Sequence, residues 1–428
     1  MSTKYDVIVV GGGAAGFYAA IHIASGNNGL KVAILERGKN VLAKVKVSGG
    51  GRCNVTHAEF DPGTLVKNYP RGEKELLGPF HTYCTGDTMA FFEERGVPLK
   101  IEEDGRMFPV SDSSQSIIDC FTGEADRLGV QVLKHSSVTD IVQLGDNGNP
   151  IWEITTIKHA YTTKKIVMAT GSNPKIWTVL KNLGHTIVAP TPSLFTFNIK
   201  DERINGIPGL STPARVSIMV KRVFNPNITI TLRSQKATET LLEEEGPVLI
   251  THWGLSGPAI LRLSAWGAKV LNEYGYRFKI RVNWLPDFNP AQVLPYLMKI
   301  KEVEAKKTVL RTKAVNVPRR LWTNLVQSAG LERTTTWADV SKVQLQNLAE
   351  QLTACTFQVD GKSTFKEEFV TAGGVDLKEV NFKTMESKLL KNIYFAGEIM
   401  NVDAITGGFN FQNAWTSAYV AAQAIVKR

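Results

Sequence analysis

The stretch Tyr5-Asp-Val-Ile-Val-Val-Gly-Gly-Gly-Ala-Ala-Gly16, followed through Ala24 to Leu30-Lys-Val-Ala-Ile-Leu-Glu36, decides the fold of this chain. Tyr5–Val10 is nearly continuous in apolar residues, which suits a strand covered on both faces of a parallel sheet. Ala14–Ala24 is a run of small and apolar residues that reads as a helix, and Gly26-Asn-Asn-Gly29 stops it. Leu30–Leu35 is a second buried strand, so the segment is a βαβ unit. Its turn carries Gly11-x-Gly13-x-x-Gly16, with Ala14 and Ala15 opening the helix. Gly11 permits the tight turn, Gly13 lets the backbone approach a pyrophosphate, and Gly16 lets helix and strand pack closely. The helix N-terminus adds N–H groups and a positive partial charge. Glu36 stands twenty residues after Gly16, at the end of the second strand, where a carboxylate accepts both hydroxyls of a ribose. The glycines alone say little, but with the strand, the helix and the acid they specify a dinucleotide site.

Three features choose FAD over a nicotinamide nucleotide. The strand Lys164–Ala169 runs into Thr170-Gly171, a form suited to passing beneath a dinucleotide. The strand Ile393–Gly397 leads to Asp403, whose position suits the ribityl chain, and to Gly407-Gly408-Phe409-Asn410 before the helix Asn413–Ile425. A glycine pair at a helix N-terminus can present N–H groups to the flavin C2 carbonyl and stabilise charge on the reduced ring. No second GxGxxG exists, so NAD(P)H, as the expected electron donor, visits only transiently. Gly49-Gly50-Gly51-Arg52-Cys53-Asn54 reads as backbone packed against the cofactor, with Arg52 near the dinucleotide and Asn54 near the ring; the alternative is a surface loop. The fold expected is α/β, an FAD-binding Rossmann domain built from both ends of the chain.

The texture changes between those ends. Residues 1–190 and 371–428 are assigned to the FAD domain, 191–255 with about 330–370 to a β-rich, barrel-like insert, and 256–330 to a helical basic subdomain. Arg215–Val220 and Asn227–Leu232 read as strands of the insert, and Ala259–Leu271, Pro290–Glu304 and Arg319–Ser328 as helices. Of the net charge of +10, the middle block 191–370 carries +8. Eight basic residues crowd Lys299–Arg320 against Glu302 and Glu304, and the run Arg215–Lys236 has five basic residues and no acid. Such a block is either a solvated face or a surface for a polyanion. The four cysteines, Cys53, Cys84, Cys120 and Cys355, lie far apart with no C-x-x-C, which argues against a zinc site and against a redox pair beside the flavin. No stretch has the length and apolarity of a membrane span, and a cytoplasmic protein is expected.

Asp6–Glu36, Ser48–Asn54, Gly105-Arg-Met-Phe-Pro109, Thr251-His-Trp-Gly-Leu-Ser-Gly-Pro258 and Gly397–Asn410 together resemble the YhiN/BaiN-like bacterial flavoproteins, often labelled aminoacetone-oxidase-family or NAD(P)/FAD-dependent oxidoreductases. The resemblance implies a glutathione-reductase-like FAD-binding Rossmann domain interrupted by a β-barrel-like domain and a helical subdomain. It implies FAD contacts at the fingerprint glycines, Glu36, Arg37, Arg52, Asn54, Val138, Ala169–Gly171, Asp403 and Gly408–Asn410. His252, in a loop before a helix expected to be capped by Ser256, is either an active-site side chain or a pin for its loop. Arg106 either neutralises an anionic substrate or anchors a turn, and Cys53 either donates a proton beside the ring or packs.

Members of the family are associated with small-amine oxidation, with reduction of steroid-like enones, and with reduction of uridine to dihydrouridine in large-subunit ribosomal RNA. A small-molecule amine oxidase or enone reductase has no need of +8 in one insert, whereas binding structured RNA depends on neutralising phosphates. The expectation is therefore an RNA-directed reductase. A small-molecule enzyme and a non-catalytic flavin-bearing RNA-binding factor are the alternatives.

Overall fold

The computed structural model describes residues 3–27, 29–145, 150–221, 238–363 and 370–427. The chain divides into two compact units, Met1–Thr191 with Lys366–Arg428, and Pro192–Phe365.

The first unit is built on strand β1 (Thr3–Val10), whose Val7–Val10 are buried. It pairs in parallel with β2 (Val32–Leu35) on one side and with Ala160–Met168 on the other. Beyond β2 lies Gln131–Leu133, also parallel, and beyond Ala160–Met168 lies Ile393–Phe395. The end of the chain thus adds a parallel strand beside one from the N-terminal half. A hairpin, Val138–Leu144 with Ile151–Thr156, pairs with the first residues of Ala160–Met168. Residues 146–149, between its two strands, lie outside the described residues. Helix α1 (Ala14–Gly26) packs along the C-terminal helix Phe409–Val426. Phe17, Tyr18, Ile21 and Ile23 of α1 are completely buried. Each such side chain is worth roughly 1.5–3 kcal/mol, against about 1 kcal/mol for a missing N-cap. Packing therefore holds α1 in place without a side-chain cap, and its N-terminus stays open.

A small antiparallel sheet of Thr56–His57, Arg106–Pro109 and Leu99–Ile101 lies in the same unit. The indole N–H of Trp415 donates to the Val55 carbonyl at 2.9 Å, which ties the segment entering that sheet to the C-terminal helix. Ile187–Ser193 and Val370–Val375, where the chain leaves and re-enters this unit, pair with each other.

The second unit holds a seven-stranded sheet in the order Cys355–Asp360, Arg277–Asn283, Ser211–Lys221, Thr238–Ile250, Gly254–Ser256, Thr196–Asn198, Lys362–Ser363. Its first and last strands are joined by Gly361 alone. The Gly361 N–H donates to Tyr276, and its carbonyl accepts from Asn198, so the sheet closes on itself as a barrel. Two expectations for this part need correction. Residues 256–330 are not a separate helical subdomain: Arg277–Asn283 is a barrel strand, and helices Pro290–Val303 and Arg319–Ser328 share its core through Val293, Leu297, Leu321 and Leu325. The strand alternates buried Phe278, Ile280 and Val282 with exposed Arg277, Lys279 and Arg281, a period of two hidden inside basic composition. Likewise 330–370 is not all strand. Ser341 and Gln344 form a capping box that starts the helix Lys342–Thr353. The strand expected at Asn227–Leu232 lies outside the described residues.

Candidate functional site

The first unit carries two linked half-sites. At one, α1 begins on Gly13 with no side-chain cap and no acid in its first turn, so the N–H groups of Ala14, Ala15 and Gly16 have no side-chain acceptor. A Cβ on Gly11 would collide with the Ala169 carbonyl, and one on Gly16 with the carbonyl of Gly11, whereas one on Gly13 would meet nothing within 4 Å. Two glycines therefore serve packing, and the third faces open space at a helix N-terminus, the place for a pyrophosphate.

Beside it a cleft is lined by Gly11, Glu36, Arg37, Val138 and Thr170, together with Ser136, Ser137, Asn173 and Lys175. Glu36 accepts from the Gly12 N–H at 2.9 Å through one oxygen and from the Gly38 N–H at 2.6 Å through the other. The carboxylate is thereby fixed in direction while each oxygen keeps a lone pair for a ribose hydroxyl. The Thr170 hydroxyl is buried without a hydrogen-bond partner, the state of a group awaiting a ligand. Ala169 is anchored by its N–H to the Val10 carbonyl at 2.9 Å.

The second half-site is the start of the C-terminal helix, capped by Gly408 in the left-handed region with no side-chain cap. Asn54 lies against it, and with its amide turned to satisfy both neighbours its oxygen is 3.0 Å from the Gly408 N–H and its nitrogen 3.0 Å from the Thr56 carbonyl. Gly49, Gly50 and Gly51 all have positive φ, and a Cβ on Gly50 or Gly51 would meet nothing. The side chain of Asn410 holds Ala404 by both its N–H and its carbonyl, at 3.0 and 3.2 Å. The backbone N–H of Gly397 donates to the Ser417 hydroxyl, and a Cβ on Gly397 would stand 3.2 Å from that of Ala15. The two half-sites thus meet where the chain's two ends touch.

A family model described as HI0933-like protein Rossmann domain matches residues 5–424. The chain belongs to this family. The ribosomal RNA dihydrouridine synthase of Haemophilus influenzae is 26% identical over 438 residues, with all of both chains covered. The 3-dehydro-bile acid delta(4,6)-reductase of Clostridium scindens is also 26% identical, over 98% of each chain. Among solved structures, the 3-ketosteroid-delta4-(5alpha)-dehydrogenase of Rhodococcus jostii aligns with all of this chain and 97% of its own at a TM-score of 0.49 and 13% identity. The HI0933-like protein is a flavin-dependent oxidoreductase.

Several side chains of this HI0933-like protein sit differently from expectation. Asp403 has no exposed surface, and Arg71 grips its carboxylate through Nε and Nη2. Glu398, absent from the expected contacts, is a second acid here: its Oε2 is paired with Lys44 at 2.7 Å and would lie 3.8 Å from a Cβ on Gly171. The signal was the Gly-Glu pair directly after a parallel strand.

Arg52 is not a free cation near a phosphate. It pairs with Glu102 at 2.6 Å and Asp112 at 3.4 Å and lies 3.9 Å over the Phe108 ring, and these carboxylates, Glu102 first, raise its pKa. Arg106 pairs with Asp104 and Glu102, at 2.7 and 3.3 Å, and so anchors its turn. Cys53 is completely buried, and burial pushes its thiol up to about 12, so that it stays protonated at neutral pH. With its amide so turned, Asn54 accepts the Gly408 N–H, and the next N–H groups at this helix start are those of Phe409 and Asn410. His252 is exposed in the turn Thr251–Gly254 of the second unit, and among the described residues its ring makes no hydrogen bond. Ser256 belongs to a strand and is bonded to Thr196, so the helix that follows is capped by Gly257 instead. His57 also escaped the sequence reading. It stacks on Phe409 at 4.5 Å, and its Nδ1 lies 3.1 Å from the Gly407 carbonyl.

Among the described residues no helix is long and apolar enough to cross a membrane.

Proposed function

We propose that this flavoprotein holds FAD between α1 and the Gly407–Asn410 turn, takes hydride from NAD(P)H, and reduces uridine in large-subunit ribosomal RNA. The FAD contacts proposed are Gly11–Gly16, Glu36, Arg37, Gly51, Asn54, Val138, Ala169–Gly171 and Phe409–Asn410, with Glu398 added. The flavin supplies the hydride-carrying atom, and the protein supplies orientation and charge.

The observation carrying the substrate reading is the surface of Lys299–Arg320. Lys299, Lys306, Lys307, Arg311, Lys313, Arg319 and Arg320 are exposed. Only Lys307 forms an ion pair among the described residues, with Glu304, while Lys301 is held by the Ala338 and Val340 carbonyls. Arg319 and Arg320 open a helix that has no acid in its first turn. Cations there oppose the helix dipole at about 0.3–1 kcal/mol each. A surface selected for stability alone would carry acids at those positions, and one that meets phosphates carries arginines. The other basic run supports the reading less: Arg215 is paired with Glu245 at 2.7 Å, and 222–236 lie outside the described residues.

The two relatives described above share the same 26% identity, so their names do not choose between RNA and a small enone; the charge favours RNA. The test is dihydrouridine in large-subunit ribosomal RNA from wild-type and gene-deleted cells. Loss on deletion, with recovery by the plasmid-borne gene, is expected. An unchanged level refutes the RNA substrate and turns attention to enones.

A further inference from the structure

The Gly407–Gly408 peptide has positive φ on both sides, +131° and +97°. Two glycines in succession leave a peptide plane free to rotate at little steric cost, more than any other pair of residues. Here the plane is seized at both ends by one short segment. Its carbonyl lies 3.1 Å from Nδ1 of His57, and its N–H lies 3.0 Å from the amide oxygen of Asn54. A carbonyl can only accept, so Nδ1 carries the proton. The His57 ring is itself fixed. It stacks on Phe409 at an interplanar angle of 30°, and Gly105 backs its other edge so closely that a Cβ there would stand 2.6 Å from Nε2. A Cβ on Gly408 would be 2.5 Å from the Thr56 carbonyl, so the turn and the Asn54–His57 segment are in backbone contact.

We infer that His57 is a positioning residue for the cofactor: with Asn54 it locks the Gly407–Gly408 peptide plane, and this lock aims the Phe409 and Asn410 N–H groups at the flavin. The inference rests on the reading of this turn as the flavin-facing one. A fixed helix N-terminus stabilises negative charge on a reduced ring more than it stabilises a neutral oxidised ring. A loosened turn loses that preference, so His57 helps to set the reduction potential without touching the reacting atoms.

Two substitutions separate the lock from general packing. His57→Asn places an amide nitrogen where Nδ1 stands and removes the stacked ring; His57→Phe keeps the ring and removes the donor. With FAD-reconstituted proteins, the midpoint potential is measured by spectroscopic titration against a reference dye. In His57→Phe the affinity for reduced relative to oxidised FAD falls about tenfold, a shift of about 30 mV for a two-electron couple. His57→Asn stays within about twofold of wild type. A phenylalanine variant that matches wild type, or an asparagine variant that falls as far as phenylalanine, overturns the inference.

Amide hydrogen exchange at Gly408 in cofactor-free protein reads the same lock, about tenfold faster in His57→Phe and unchanged in His57→Asn. If the wild type takes up no FAD, the cofactor reading fails, and the exchange rates alone decide whether the lock exists. Should His57→Phe not fold, His57→Ala is judged by the same outcomes.

Discussion

Replacing Arg71 with methionine removes one half of a buried ion pair. The Asp403 carboxylate has no exposed surface and the Arg71 side chain 13%. The guanidinium approaches both carboxylate oxygens, and the two residues also form an isolated backbone bridge. Removing one partner from such a pair costs about 3–5 kcal/mol, because the remaining charge is stranded away from water. That is a large part of a net stability of about 5–15 kcal/mol, and it corresponds to a fall in Tm of roughly 10 °C for a unit of this size. The deficit shrinks in acid, where the stranded carboxyl takes up a proton. The double variant Arg71→Met/Asp403→Leu strands no charge and recovers most of the loss. Urea unfolding of the wild type, both single variants and the double gives the coupling energy, and bound FAD is measured on the same samples. If Asp403 only braces the Met400–Ala404 loop, the double variant keeps its flavin. An Arg71→Met loss below about 1 kcal/mol, or a stable double variant without FAD, would refute the reasoning.

Four further outcomes are expected. His22 is packed among Tyr18, Tyr83, Phe91 and Tyr419, with Nε2 shielded from solvent and unbonded among the described residues, and desolvation lowers its pKa to about 3. The unfolded chain therefore binds a proton below about pH 6.5 that the folded one refuses. The stability present above that pH is lost as pH falls towards 3, by about 1 kcal/mol at pH 5.5, and His22→Phe flattens this part of the stability profile. Cys53→Ala retains turnover, as expected of a completely buried side chain that packs; a large fall in turnover with flavin content unchanged restores its candidacy as a proton donor. Reversing Arg311, Arg319 and Arg320 to glutamate weakens RNA retention at least tenfold at low salt and flattens its salt dependence, with FAD content untouched. His252→Ala lowers turnover and leaves bound flavin unchanged; full turnover would end its assignment to the active site.

The sequence announced the parts of the fold whose patterns are local. The continuous apolar run of Tyr5–Val10, the glycine turn and Glu36 belong to one βαβ unit, and each has a fixed consequence for backbone or charge. The C-terminal strand and helix were legible because Ile393–Gly397 and Gly407–Asn410 repeat that grammar. Partnerships between residues distant in sequence were not legible. Asp403 stood where an acid could serve the ribityl chain, and only the fold shows that Arg71, 332 positions away, reaches it. Arg52 was placed near the dinucleotide because its partners Glu102 and Asp112 stand 50 and 60 positions further along the chain. The barrel strand Arg277–Asn283 escaped because its exposed side is arginine and lysine, which drew attention to charge and away from the alternation beneath it.

The way the sheet is completed has a consequence for synthesis. Met168 and its neighbours expose a hydrogen-bonding edge that Ile393–Phe395 later covers, and about 225 residues separate the two. At roughly 5–20 residues per second, the growing chain carries an open, apolar edge for about 10–45 s. Throughout that interval the Gly407–Asn410 turn does not yet exist, so a flavin arriving early finds only half its grip. The two ends of the proposed FAD site come together only after this last strand has been made.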